Sequence, residues 1–203
     1  MLMDIVAGPP GSGKSTFFPV QDRGFDHFNI DDRRRELNAG CSQRIPAQIR
    51  DRAKTEYEEF IRTHIAAGTS FSFEATLAQE ITFDQALQAK DRGFQIWLTF
   101  VAADLEECVE RVLARYEAGG HGLIPPRLHE VYRHAMGNLA RAIRLFDIVQ
   151  VYDNSVRGRL NVELYEAKPC LVLSAQQGTL TSLVSSPPAW LRAALANSEY
   201  DLD

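Results

Sequence analysis

One stretch, Gly8 to Ser15, constrains this chain more than any other. It reads GPPGSGKS and meets the pattern G-x-x-x-x-G-K-[ST] at every fixed position. The flanks supply the context that pattern needs. "LMDIVA" before it alternates and ends apolar, as a buried strand does, and "KSTFF" after it opens a helix. A loop of this kind wraps a phosphate with successive backbone N–H groups, at dihedrals that a Cβ forbids, which is why glycines recur in it. The helix behind adds its unsatisfied N-terminal N–H groups and its dipole to the same anion. The cradle spans Gly8, Pro9, Pro10, Gly11, Ser12, Gly13, Lys14, Ser15 and Thr16. Lys14, on a surface turn, reaches the β- and γ-phosphates; the Ser15 hydroxyl is the expected Mg2+ ligand, and Thr16 is placed to touch the α-phosphate. The expected ligand is therefore ATP or GTP with Mg2+.

The rest of the chain repeats strand and helix. A short strand at 25–30 hands over to "DDRRREL", and a helix spans about Ala47 to Ala67, closed by Gly68. A strand follows at 69–76, a helix at 81–93, and a near-continuously apolar strand at 94–102. Asp104 caps "LEECVERVLARYEA", a helix that stops at Gly119 and Gly120; loop and helix follow to about Leu145, and 146–154 gives a fifth strand. That alternation predicts an α/β fold: a P-loop NTPase-type parallel β-sheet flanked by helices, with the phosphate site at the C-terminal edge of the strands. Residues 1–156 form the expected kinase core, with a lid region at about 116–138. Residues 157–203 form a small C-terminal addition, a hairpin over 160–175 and a helix at "PPAWLRAALA".

Composition narrows the partners. The net charge of −5, without a basic tail or stripe, argues against a nonspecific nucleic-acid binder. Cys41, Cys108 and Cys170 lie far apart, as free thiols of a reducing cytosol do. "LMDIVA" is too short to be a signal or to span a membrane, so a cytoplasmic protein is expected. The histidines at 27, 64, 129 and 134 lack metal-ligand spacing.

Polar residues directly after each strand should face the site. They are Asp31 and Asp32, then Glu74 with Thr76, then Asp153 and Asn154. The strand at 94–102 does not end in the Asp or Asp-Glu of a Walker B element, which favours a small phosphotransferase over a motor or transporter. In such an enzyme one carboxylate accepts the proton of the acceptor hydroxyl. Asp31 is the choice for it and Asp32 the rival; a capped helix start is the other reading of both. Arg34 is placed to hold a substrate phosphate or Asp31 itself. Arg115, near the end of its helix and just before "AGGHGLIPP", is placed to neutralise charge on the transferring phosphoryl group, with Arg111 one turn earlier as the alternative. Surface pairing with Glu107 and Glu110 is the competing reading of both arginines.

The combination "GPPGSGKST", "FNIDD", "FEAT", "ERVLARYEAGGH", "IPP" and "YDNS", over residues 3 to about 156, resembles the zeta-toxin family of small bacterial kinases. The resemblance implies transfer of a γ-phosphate to a hydroxyl of a nucleotide sugar, UDP-N-acetylglucosamine in known members, and an antitoxin protein as partner. It places the family's lysine and Mg2+-ligating hydroxyl on Lys14 and Ser15, its catalytic aspartate on Asp31 and its lid arginine on Arg115. Its substrate-binding glutamates fall on Glu74 and Glu58, and Glu74 is expected to point away from the triphosphate. The chain departs from the family at a second lid arginine, for which His121, Arg127 and Arg133 are candidates. "NIDDRRREL" also resembles polynucleotide 5′-hydroxyl kinases, and a nucleotide-dependent switch NTPase is a third reading.

Overall fold

The computed structural model describes residues 1–120, 122, 124–156 and 168–202. Its framework is a seven-stranded sheet in the order β2-β3-β1-β4-β5-β6-β7. Five strands are parallel: β1 (Leu2–Ala7), β2 (Asp26–Phe28), β3 (Phe71–Ala75), β4 (Gln95–Ala102) and β5 (Ile148–Asp153). The last two, β6 (Cys170–Gln176) and β7 (Thr179–Leu183), run antiparallel and extend the sheet beyond β5. β1 lies at the centre between β3 and β4 and is buried almost throughout, so the loop that leaves its end emerges mid-sheet.

Most of the core lies on one face. Met3, Ile5, Phe71, Phe73, Leu98, Phe100, Val149 and Val151 meet Ile61, Phe83, Leu139, Ile143 and Leu191 there. Those partners come from α3 (Ala47–Ala67), α4 (Glu80–Asp91), α7 (Leu139–Leu145) and α8 (Ala189–Leu195). The 21 residues of α3 carry Ala53, Tyr57, Phe60, Ile61 and Ile65 at helical spacing, and Gly68 ends the helix in the left-handed region at φ 67°. A smaller cluster of Ala103, Cys108, Val112 and Leu128 joins α5 (Leu105–Glu117) to α6 (Pro125–Gly137).

Three local outcomes differ from the sequence-based expectation. The helix behind the phosphate loop, α1 (Lys14–Phe17), has only 4 residues. Pro19 disfavours helical dihedrals at Phe18, and a 3₁₀ turn at Val20–Arg23 follows. The strand expected at 25–30 stops at Phe28 because Asn29 turns the chain into α2 (Ile30–Leu37). The hairpin expected over 160–175 is instead formed by β6 and β7. Gln176 pairs with Thr179 across Gln177 and Gly178, both at positive φ (48° and 77°), as a two-residue hairpin loop requires. Residues 160–167 of the expected hairpin lie outside the described residues. Among the described residues, no helix is long and apolar enough to cross a membrane.

Candidate functional site

The glycines of the phosphate loop are fixed by close contact. A Cβ on Gly8 would stand 2.0 Å from the Val101 carbonyl oxygen, and one on Gly11 would stand 2.3 Å from that of Cys108. On Gly13 it would meet Asn154 Nδ2 at 2.4 Å. Asn154 seats the loop from beneath: its Nδ2 donates to Ser12 O at 2.8 Å, and its backbone N–H donates to Ala102 O at 2.7 Å. Arg111 seats it from the side. Its guanidinium donates to Asn154 O at 2.8 Å, to Gly11 O at 3.4 Å and to Glu107 Oε2 at 2.7 Å. Glu107 is buried, and its carboxylate also accepts the Val156 N–H at 2.9 Å. A cavity of about 220 Å³ opens over the loop, lined by Gly11, Gly13, Lys14, Ser15, Thr16, Arg111 and Arg115. Its glycine backbone, one lysine, two exposed hydroxyl residues and two guanidinium groups suit a polyphosphate.

The acceptor side is a chain of polar contacts beginning at Lys14. That residue is buried, not on a free surface turn, and its Nζ lies 3.6 Å from Glu74 Oε1. Glu74 therefore faces the phosphate loop, contrary to the expectation that it points away. The parallel register sets Glu74 opposite Val6, one residue before the loop leaves β1. Glu74 is itself buried, and its Oε2 accepts a hydrogen bond from Asn29 Nδ2 at 3.1 Å.

Asn29 is the N-cap of α2. Its Oδ1 accepts the backbone N–H groups of Asp31 at 2.9 Å and Asp32 at 3.4 Å. Both aspartates thus occupy the first turn of the helix, and they part from there. Asp31 accepts from Arg34 at 2.9 Å, whereas Asp32 accepts from Arg35 at 3.0 Å and lines a separate hollow with His27 and Arg33. Arg115 closes the cluster from α5. Burial lowers its pKa, and the charges of Asp31 and Glu74 act in the opposite direction. Those two carboxylates are its electrostatic counterparts.

The remaining candidates lie elsewhere. Glu58 is not brought to this cluster: its carboxylate is exposed on α3 and paired with Lys54 at 3.7 Å. Thr76 spends its hydroxyl in the turn after β3, where Oγ1 accepts the Ala78 N–H at 3.3 Å. Arg127 is exposed and paired with Glu130, and exposed Arg133 has a guanidinium nitrogen 3.4 Å from His134 Nε2. His121 lies outside the described residues. Asp153 accepts the Trp190 Nε1–H at 3.0 Å and the Ser155 hydroxyl at 2.7 Å, tying β5 to α8. Arg33 is bound by Glu56 and Glu36 instead of being solvated. Sequence reasoning missed Asn29 and the seating role of Arg111 and Asn154. The signal for Asn29 was available, since an asparagine directly before "IDD" is a favoured cap. Among the described residues no group of three or more His, Cys, Asp and Glu side chains could hold a metal ion, and exposed Ser15 lines the cavity over the loop.

A central parallel strand, a glycine-walled loop with its lysine, and carboxylates at the ends of neighbouring strands define a P-loop NTPase-type fold of the kinase-like kind. The family model described as an AAA domain matches residues 3–135, more than half of the chain, and the chain belongs to that family. No curated protein matches it by sequence. Among solved structures it is similar to that of the PezAT chromosomal toxin–antitoxin system of Streptococcus pneumoniae. The identity is 19% and the TM-score 0.58, over 80% of this chain and 70% of that one. It is also similar to the AvrRxo1-ORF1:-ORF2 complex with ATP, at 17% identity and TM-score 0.63, over 89% of this chain and 60% of that one. A third likeness is to the Pnkp1/Rnl/Hen1 RNA repair complex, at 22% identity and TM-score 0.51, over 66% and 43%. At these identities the likeness is one of fold.

Proposed function

We propose that the chain is an ATP-dependent kinase that transfers a γ-phosphate to a hydroxyl of a small acceptor, with a nucleotide sugar as the favoured class. The observation that carries the reading is that Lys14 and Arg115 line the cavity over the loop, with Glu74 paired to Lys14 at 3.6 Å and the charges of Asp31 and Glu74 acting on Arg115. The loop N–H groups, Lys14 and Arg115 hold the triphosphate, with GTP an alternative to ATP. Ser15 would hold Mg2+, which would supply charge neutralisation to the triphosphate.

Asp31 accepts the proton of the acceptor hydroxyl. The acceptor oxygen then bonds to the γ-phosphorus, the bond to the β–γ bridging oxygen breaks, and the nucleoside diphosphate leaves. Charge on the transferring group falls between Lys14 and Arg115, a cation on each side. Glu74 is the acceptor-side carboxylate suited to hydrogen bonds from neutral hydroxyls, and Glu58 drops out of that role. The ATP bound in the AvrRxo1 structure and the toxin–antitoxin setting of PezAT support a nucleotide site and a protein partner.

The polynucleotide kinase reading is weakened by the state of the arginines along α2. Arg33, Arg34 and Arg35 are each bound to carboxylates, which leaves little net positive charge for a phosphodiester track. The test is transfer of label from γ-labelled ATP to a panel of nucleotide sugars and 5′-hydroxyl oligonucleotides, with the product identified. Label on a sugar hydroxyl supports the reading, and label on oligonucleotide ends replaces it. Hydrolysis with no labelled acceptor anywhere in the panel favours the switch NTPase.

A further inference from the structure

Asn29 touches both halves of the site. Its two amide atoms are spent in opposite directions. Nδ2 donates to Glu74, which is paired with Lys14 of the phosphate loop, while Oδ1 caps the helix that carries Asp31. Capping α2 needs only an oxygen, and Ser, Thr, Asp and Asn all supply one. The bond to Glu74 needs a donor as well, which Asp lacks and which a serine hydroxyl is too short to bring to the same place. Of the cap residues, only Asn satisfies both demands at this position.

We infer that Asn29 is a positioning residue that links the nucleotide site to the acceptor base, by dividing the Glu74 carboxylate between itself and Lys14. This deepens the kinase reading and rests on it. The consequence follows from competition for one ammonium group. Glu74 stands where it draws charge from Lys14, at 3.6 Å, a distance longer than a direct charge-assisted hydrogen bond. The grip of Asn29 on the other carboxylate oxygen keeps Glu74 from closing further on Lys14. When phosphate oxygens engage Lys14, Glu74 stays tethered through Asn29 to the first turn of α2, next to Asp31. Without the tether Glu74 pairs more closely with Lys14, and the triphosphate must displace it.

The experiment measures Mg·ATP affinity by calorimetry on the full chain, with thermal unfolding run in parallel. The proteins are the parent, Asn29→Ser, Asn29→Asp, Glu74→Gln and the double substitution Asn29→Ser with Glu74→Gln. Because each Asn29 variant keeps a capping oxygen, α2 stays folded and the melting temperature moves little. The expected result for Asn29→Ser is a loss of affinity of about 3–10-fold, the scale of one ordinary intramolecular hydrogen bond. The same substitution in the Glu74→Gln background should change affinity by less than about twofold, since no carboxylate remains to be restrained. Asn29→Asp should weaken binding at least as much, because it sets a second negative charge beside Glu74.

An equal loss in both backgrounds would show that Asn29 acts only through the fold of α2 and would overturn the proposal. So would an unchanged affinity in Asn29→Ser. Either outcome leaves the kinase reading standing. Failure of the parent chain to bind Mg·ATP at all would overturn both.

Discussion

Lys14 and Glu74 form a buried ion pair, Nζ to Oε1 at 3.6 Å, between the phosphate loop and the end of the neighbouring strand. Removing one partner of such a pair costs more than removing both, because a lone buried charge stays behind. Lys14→Ala should therefore do more than abolish transfer. It should destabilise the fold by roughly 1–3 kcal/mol, with Asn29 still satisfying part of the carboxylate. In a chain of about 200 residues that lowers the melting temperature by roughly 2–4 °C per kcal/mol. Adding Glu74→Gln should restore most of it. A Lys14→Ala protein as stable as the parent would mean the pair contributes nothing.

Asp31 and Asp32 are adjacent on one helix turn but meet different surroundings. Asp31 is bound to Arg34 and its charge acts on Arg115, and Asp32 is taken up by Arg35 beside the second hollow. Asp31→Asn keeps the shape and loses the base, so transfer should fall about 10²–10⁴-fold with little change in nucleotide affinity. Asp32→Asn should reduce it far less. Steady-state kinetics on both variants decides between them, and the reverse ranking would move the base to Asp32.

The two arginines of α5 line one cavity but have different duties. Arg111 is bound to Glu107, Asn154 and Gly11, whereas Arg115 lines the cavity under the charges of Asp31 and Glu74. Arg111→Ala strips buried Glu107 of its cation and loosens the loop, so thermal unfolding should register a loss of roughly 1–3 kcal/mol. Arg115→Ala should melt close to the parent and lose phosphoryl transfer. Were the two effects exchanged, the assignment of seating and catalytic roles would be exchanged with them.

The features legible in the sequence are those whose chemistry demands fixed residue types at fixed spacing. Gly8, Gly11, Gly13 and Lys14 are of this kind, and the steric contacts explain why no other residue serves at the glycines. The strand-helix alternation was legible for the same reason, since each element buries a face with its own period. Contacts between distant segments were not. That Glu74 meets Lys14 depends on the register of β1 against β3, which no local pattern encodes. The shortness of α1 was readable from Pro19 but was outweighed by the helical look of "KSTFF". The β6–β7 turn at Gln177 and Gly178 was likewise a two-residue signal, hidden behind an apolar run that suggested a strand pair further upstream.

The position of α2 against α3 should depend on acid. Glu56 on α3 is held well below its ordinary value of 4.5, at about 2, by hydrogen bonds from Arg33 of α2 and then from Arg52. A folded-state pKa below the unfolded one contributes stability that is present above about pH 4.5 and is lost as the pH falls through 2. Glu56→Gln should therefore lower the melting temperature at pH 7, and the gap to the parent should close at about pH 2. The pair is partly solvent-exposed, so the difference should also shrink in high salt. A gap that persists in acid would assign the effect to packing.

Discrimination among acceptors should rest on Glu74 and not on Glu58. Glu74 is buried and held by Lys14 and Asn29, so an acceptor hydroxyl that replaces part of that network leaves an unpaired charge when it is missing. Glu58 is exposed and bound to Lys54, where substitution has little to remove. With a nucleotide sugar as acceptor, Glu74→Gln should lower kcat/KM for the parent sugar and narrow the gap to its deoxy analogues. Because it also frees Lys14, it should raise Mg·ATP affinity where a purely acceptor-side residue leaves it unchanged. Glu58→Ala should leave both quantities within about twofold of the parent. A strong loss of acceptor discrimination in Glu58→Ala would instead mean that α3 closes over the cleft when the acceptor binds, carrying Glu58 away from Lys54 and toward Glu74.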